Sequence, residues 1–450
     1  MDYLEFAKDI VNKAGAEGVE VEAYVNIGKE TNIEVARGEV EKLSQSGSKG
    51  LGVRVIAAGG RVGYAYTSDF SPDGVERTWK GALAIAQSVD ADENRALPGS
   101  GPLDAADLDI YDPAVAAIQP EEKIEFAKRI EQAALDYDPR VVMTNRCVYT
   151  DGIESVYLAN SKGFAGQFQR TFIGGYVFAI ARDEDGGMAN GMGIDFSTKR
   201  ADIDAEAIGR EAAERAVAQL DAAPVETQTA TVVMDPLVSS EFLMYLSMAL
   251  TGEAMQRKRS FLLDKIGQDV ASDMVSVIDD GRLPGGMASA PFDGEGVPTR
   301  ATRLIDEGVL QQVIYDSYSA KLDEAESTGN AQRGSHREKP SLRLSNFYLQ
   351  PGQQSPDEII AGVENGLYIT NSMSVGGINP VSGEYSIGAS GMWIENGKLT
   401  KPVKEVTVAA SMSDLLQNVT AVGNDLRWLP FYGVVGAPTI RIENMTIGGK

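Results

Sequence analysis

Gly50-Leu-Gly-Val-Arg-Val-Ile56, then Ala57-Ala-Gly-Gly60, then Arg61-Val-Gly-Tyr-Ala-Tyr66 decides the fold of the first part of the chain. Two β-branched, alternating runs flank a glycine pair, which is a hairpin pattern. Upstream, Val19-Glu-Val-Glu-Ala-Tyr-Val25 and Asn32-Ile-Glu-Val-Ala36 alternate with the period of two expected of half-buried strands. Before them, Leu4, Ala7, Ile10, Val11 and Ala14 recur at helical spacing and predict a helix from Tyr3 to about Ala16. Downstream, Asp69-Phe-Ser-Pro-Asp73 opens a second helix, with Val75, Trp79, Leu83, Ile85 and Ala86 as its inner side. Strands flanked by helices give an α+β layer.

The same order recurs further on. Pro120-Glu-Glu-Lys123 starts a helix, with proline in the first turn and acids at the positive dipole end. Residues Val141 to Ile180 then read as several strands, divided at Thr150-Asp-Gly152, Asn160-Ser-Lys-Gly163 and Gly174-Gly175. A helix from Ala205 to Leu220 closes this segment, so helix, strands and helix form a duplicated repeat without residue-level self-similarity. The punctuators Leu97-Pro-Gly-Ser-Gly-Pro102 and Asp221-Ala-Ala-Pro224 divide the chain into an N-terminal α+β segment, 1–100, and a second α+β segment, 101–222, packed with it. Residues 223–450 read as a mainly-β domain containing one buried apolar helix, from Pro236 to about Ala254.

Composition narrows the function. The 450 residues hold 65 acids against 41 Lys and Arg, a formal charge of −24, and a surface of that sign repels phosphate backbones. Nucleic acid is therefore not expected as a partner, and the basic run Gln256-Arg-Lys-Arg259 reads as a solvated helix end. One cysteine, Cys147, excludes an internal disulfide framework and fits a reducing compartment. The first residues, Met1-Asp-Tyr-Leu-Glu-Phe-Ala-Lys8, lack the apolar core of a signal peptide, and no run reaches the roughly 20 apolar residues of a membrane span. The expected address is the cytoplasm.

Histidine is decisive because the chain has one, His336, in the polar stretch Gly334-Ser-His-Arg-Glu-Lys-Pro340 that reads as an exposed loop. A zinc peptidase needs several imidazole or thiolate ligands converging on the ion, and His336 with Cys147 cannot supply them. The nearest approach to a nucleophile elbow, Gly388-Ala-Ser-Gly-Met392, ends in Met and runs into strand-like Trp393-Ile-Glu395. Neither a Walker A pattern nor a Gly-x-Gly-x-x-Gly following a strand is present, so the glycine-rich stretches read as turns.

An ordered series of short motifs gives a resemblance. Arg257-Lys-Arg-Ser-Phe-Leu-Leu263, Ala290-Pro-Phe-Asp-Gly-Glu-Gly-Val-Pro298, Leu304-Ile-Asp-Glu-Gly-Val-Leu310 and Ser327-Thr-Gly-Asn330 come first. Asn346-Phe-Tyr-Leu-Gln-Pro-Gly352, Gly366-Leu-Tyr-Ile369, Asn379-Pro-Val-Ser-Gly-Glu-Tyr385, Ile394-Glu-Asn-Gly-Lys398 and Val422-Gly-Asn-Asp-Leu426 follow. With Gly50-Leu-Gly-Val-Arg-Val55 and Tyr66-Thr-Ser-Asp69, the whole chain resembles the PmbA/TldD family of peptidases, once described as modulators of DNA gyrase.

In the catalytic branch of that family a His-Glu-x-x-x-His helix and a later cysteine hold zinc. Counting back without a gap from Arg259-Ser-Phe-Leu262, the motif falls on Leu243-Met-Tyr-Leu-Ser-Met248. Leu243 and Met248 stand where the histidines belong and Met244 where the general base belongs, and Arg427-Trp-Leu-Pro-Phe-Tyr-Gly433 contains no cysteine. An alkyl chain does not ligate zinc, a thioether does so poorly, and neither takes a proton from bound water. Met244 and Met248 read instead as core filling on a nearly all-round apolar helix.

The resemblance thus implies the PmbA branch, also called TldE, with no catalytic residue and no metal or cofactor bound by this chain. Zinc is expected on a TldD-type partner in a heterodimer acting on extended or unfolded peptides. The alternative is a homodimeric peptide- or ligand-binding protein without catalytic activity; a nucleic-acid-associated modulator is opposed by the charge. Asn330, Arg333, His336, Gly376, Gly377, Asn379 and Ser382, in the loops 327–333, 376–380 and 382–385, are the candidate cleft or peptide contacts.

Overall fold

The structure, a computed structural model of the chain, describes all residues except 100, 102, 104–106, 431 and 432, and the side chains of 374–376. It opens with α1 (Tyr3–Gly15), β1 (Glu20–Ala36), β2 (Glu39–Ala57), β3 (Arg61–Thr67) and α2 (Pro72–Ser88). Next come α3 (Pro113–Ala117), α4 (Pro120–Tyr137), β4 (Val141–Asn160), β5 (Ala165–Arg182), β6 (Met188–Ser197) and α5 (Ala205–Ala218). These six strands form one antiparallel sheet in the order β3-β2-β1-β4-β5-β6. Its two halves join along β1 and β4, from Glu22 opposite Asn160 to Val35 opposite Cys147. α1 and α2 cover one half and α4 and α5 the other.

The repeat is visible in how the helices dock. Gly63 on β3 lies under the Ala82 carbonyl of α2, and Gly193 on β6 lies under the Ile208 carbonyl of α5. A methyl at either place would overlap helix backbone, so an edge-strand glycine sets the close helix–sheet distance in both halves. The halves are also cross-braced. Glu131 of α4 accepts hydrogen bonds from the Arg37 and Gly38 amides, at 2.9 and 2.7 Å, in the turn between β1 and β2.

Several strands are longer than expected. The runs 19–25 and 32–36 belong to one continuous strand, β1. Of the three expected breaks between Val141 and Ile180, Asn160–Gly163 is a turn, whereas Thr150–Gly152 and Gly174–Gly175 lie inside β4 and β5. There the glycines make room for neighbours: the Phe172 ring covers Gly152, and a side chain on Gly175 would meet the Val148 carbonyl at 2.6 Å. In α2, Ser71 is the N-cap, and Ile85, expected inside, is exposed. From Leu51 onward β2 pairs with β3, but among the described residues 39–50 pair only with β1 and leave a free edge, largely exposed except at buried Gly50.

The C-terminal part starts with β7 (Gln228–Met234) and α6 (Pro236–Ala249). β7 pairs with Asn365–Asn379 and Ile440–Gly448; Glu384–Glu395 and Lys398–Ser411 complete the circuit, closing a five-stranded barrel. A second six-stranded sheet, including Asn346–Leu349 and Val434–Ala437, packs alongside, and α6 lies in the shared core through Phe242, Leu243, Leu246 and Ala249. α6 ends at Ala249 rather than near Ala254. Thr251 turns extended, bridges to Ile314 and caps a separate short helix, Gly252–Gln256.

Candidate functional site

The site is built where α6 meets the N-terminal sheet. Asp235 begins α6: its side chain accepts the Leu237 amide at 2.8 Å, and Pro236 follows in the first turn. The same carboxylate pairs at 2.5 Å with Arg215 of α5, which also bonds Glu211 and the Thr370 carbonyl at 3.1 Å each. Arg427 completes the group through a 2.6 Å bond to Glu211. Burial pushes Asp235 upward against the pull of Arg215. Burial likewise opposes the Arg215 charge, but Asp235 and Glu211 outweigh it and its pKa rises. Two guanidiniums and two carboxylates therefore neutralise one another at the junction.

Above this group lies a cavity of about 500 Å³. α6 contributes Leu237, Val238, Ser240, Glu241, Met244 and Tyr245, the successive positions of one helical face. Phe178, Asn190 and Met192 enter from β5 and β6, Arg215 and Gln219 from α5, and Thr370, Asn371 and Ser372 from the barrel. Glu241 accepts a hydrogen bond from the Ser372 hydroxyl. Tyr385 behind it has its hydroxyl pKa raised, by burial first and by the Glu241 charge second.

The three positions matched to the zinc motif separate in space. Leu243 is buried in the barrel-side core, Met244 is half-buried on the cavity wall, and Met248 is 44% exposed. The helix is thus apolar on one side and open on the other; Met244 packs at the edge of the core while bordering the cavity, and Met248 is not core filling. One-dimensional reading missed Glu241 as a site residue, although it is the single charge in the run Pro236–Ala249.

The candidate cleft residues divide into two groups, neither lining this cavity. Asn330 is buried and donates to Asp279 at 2.6 Å, while burial pushes Asp279 up to about 6. Arg333 is buried against Glu22 of β1, its guanidinium 4.6 Å from the Tyr24 ring centre. Arg54 of β2 bonds the same Glu22 at 2.7 Å and Glu295 at 2.8 Å, so four charged side chains lock the C-terminal part onto the N-terminal sheet. His336, expected in an exposed loop, is 4% exposed. Its ring fills the space above Gly50, and its carbonyl accepts the Tyr64 hydroxyl at 2.7 Å. Burial lowers its pKa, with Arg337 adding repulsion. In the second group, Gly377 and Asn379 end one barrel strand and Ser382 lies in the exposed turn before Glu384, where Phe261 packs against Gly383. The side-chain surroundings of Gly376 lie outside the described residues.

Zinc does not fit the α6 cavity. The one histidine packs on β2, and Cys147 is buried below α4, its thiol pKa raised by burial. Among the described residues no group of three or more His, Cys, Asp or Glu is placed to hold a metal ion.

Profiles of the PmbA/TldA metallopeptidase family match in order: domain 1 over residues 21–86, the central domain over 113–220 and the C-terminal domain over 227–449. Metalloprotease PmbA of Escherichia coli O157:H7 is 32% identical over 90% of this chain and 88% of its own length. The Haemophilus influenzae PmbA homolog is 30% identical over 99% and 95%. The Thermotoga maritima crystal structure of a candidate modulator of a DNA gyrase is 26% identical. It superposes with a TM-score of 0.89 over 99% of this chain and 100% of its own. On sequence, domain order and three-dimensional architecture alike, this chain belongs to the PmbA/TldD metallopeptidase family.

Proposed function

We propose that the chain is the metal-free subunit of a PmbA/TldD-type cytoplasmic peptidase, supporting cleavage of extended or unfolded peptides by a zinc-bearing TldD-type partner. The observation that carries this reading is the face of α6 turned to the cavity. In a metallopeptidase family it presents a serine, a glutamate, a methionine and a tyrosine, and no imidazole. One carboxylate does not make a closed zinc site. The free edge of β2 over residues 39–50 supports a role with extended chains, because its unpaired backbone groups can accept an added strand.

The test is to purify the chain alone and together with a His-Glu-x-x-x-His protein from the same genome. Metal content, molecular mass and cleavage of an unfolded polypeptide are then measured. The expected result is neither zinc nor cleavage with the chain alone, and a mixed complex that cleaves and is stopped by a chelator. Stoichiometric zinc and chelator-sensitive cleavage in the lone chain would overturn the reading. The same β2 edge favours a second reading, a homodimeric peptide- or ligand-binding protein. A chain that forms a stable homodimer and never the mixed complex would support it.

A further inference from the structure

The α6 cavity carries an unbalanced charge. Arg215 and Arg427 are matched by Asp235 and Glu211, which leaves Glu241 as the net charge on the wall. The described residues give its carboxylate one partner, the neutral Ser372 hydroxyl, and no lysine or arginine pairs with it. Around it the walls are apolar: Phe178, Met192, Leu237 and Met244 come from three different elements. A half-buried carboxylate without a counter-ion, set in an apolar cavity of about 500 Å³, has one evident electrostatic complement.

We infer that this cavity is a binding site for a primary ammonium group carried on an apolar body. The ammonium sits on Glu241 beside the Ser372 oxygen, and the hydrocarbon lies against Met244, Leu237 and Phe178. Three N–H donors on a compact cation suit a carboxylate flanked by a hydroxyl oxygen. The flexible Met192 and Met244 accommodate hydrocarbon of varied shape. An anionic ligand is disfavoured because Arg215, the guanidinium on this wall, is already bound by two carboxylates and a carbonyl. The assignment goes beyond the subunit reading and does not need it, since it concerns the lone chain.

Titration calorimetry on the full chain tests the assignment, using hexylamine, hexanol and hexanoate at neutral pH. Leucyl-leucine amide and its N-acetyl form serve as a peptide-borne pair. The amine is expected to bind about tenfold tighter than the alcohol, as a charge-assisted hydrogen bond implies, and hexanoate weakest. Glu241→Gln should erase the preference for amine over alcohol, and Met244→Trp, which fills the cavity, should weaken both. A preference for leucyl-leucine amide over its acetylated form would identify a peptide N-terminus as a source of the ammonium. If the acetylated form binds equally while hexylamine keeps its preference, the source is a free amine. Equal binding of amine and alcohol by the unmodified chain, no binding of either, or an unchanged preference in Glu241→Gln with its melting temperature retained would each overturn the inference. A failed mixed complex with a zinc subunit would leave it standing.

Discussion

Two of the contacts between the N-terminal sheet and the C-terminal part are built on opposite principles. At β1 and β2 the contact is filled: Glu22 lies between Arg54 and Arg333, Arg54 reaches Glu295, and the His336 ring rests on Gly50. At α5 and α6 the ion group holds the floor, but the space above it is left open and, among the described residues, Glu241 lacks a counter-ion. The first junction fixes how the parts sit together. The second keeps room for something else. A molecule that only needed to hold its halves together would have filled both.

Mutations can break this contrast. The largest effect is expected from Glu22→Ala, which strands two buried guanidiniums with one remaining carboxylate between them. Removing one member of a buried ion group costs about 3–5 kcal/mol, and urea unfolding of the full chain should show a loss of that order. Gly50→Ala comes next. Its methyl overlaps the His336 ring, and the displacement should cost about 1–3 kcal/mol, whereas Gly47→Ala, in open space, should be nearly neutral. At the open junction, Met244→Ala should cost about 1 kcal/mol, against about 2–5 for a fully buried methionine, because its side chain already borders a void. A cost in the higher range would mean that the cavity closes in solution.

The smallest effect is a change of slope with pH. Burial lowers the His336 pKa below its unfolded value, so the unfolded chain binds the extra proton near pH 6–6.5. The contribution of neutral His336 is therefore present above about pH 6.5 and lost as pH falls through that value. Asp279, raised to about 6 by burial, acts in the opposite direction: its contribution is present below about pH 4 and lost as pH rises toward 6. His336→Phe should remove the acid-side loss above pH 6, read as a flatter melting temperature between pH 6 and 7. Raised carboxylates such as Asp279 titrate close to this window too, so the flattening is read as the difference between the variant and the unmodified chain. An unchanged slope would mean that the ring is solvated.

How much of this was legible in sequence follows from the range of the interactions. The Gly50–Tyr66 hairpin and α1 are set by neighbours within a few residues, and alternation or helical spacing exposed them. Gly152, Gly174 and Gly175 read as turns because a glycine that admits a ring or a carbonyl from another element looks the same in one dimension as a glycine that bends the chain. His336 read as a loop residue because its neighbours in sequence are polar, while Gly50 and Gly52, which make its pocket, lie almost three hundred residues away. The α6 cavity was half visible. The motif comparison picked out the right helix and, in Met244, one residue of the cavity wall, but its register also pointed to Leu243 and Met248, and Glu241 and Tyr245 emerged from packing.

The grip of Glu131 on the β1–β2 turn has a consequence for synthesis. The Gly38 amide waits for an acceptor 93 positions further along the chain. At about 5–20 residues per second on the ribosome, the partner emerges roughly 5–20 s later. In that interval the nascent hairpin has only water at its turn amides, so its long strands gain this clamp only once α4 has been made.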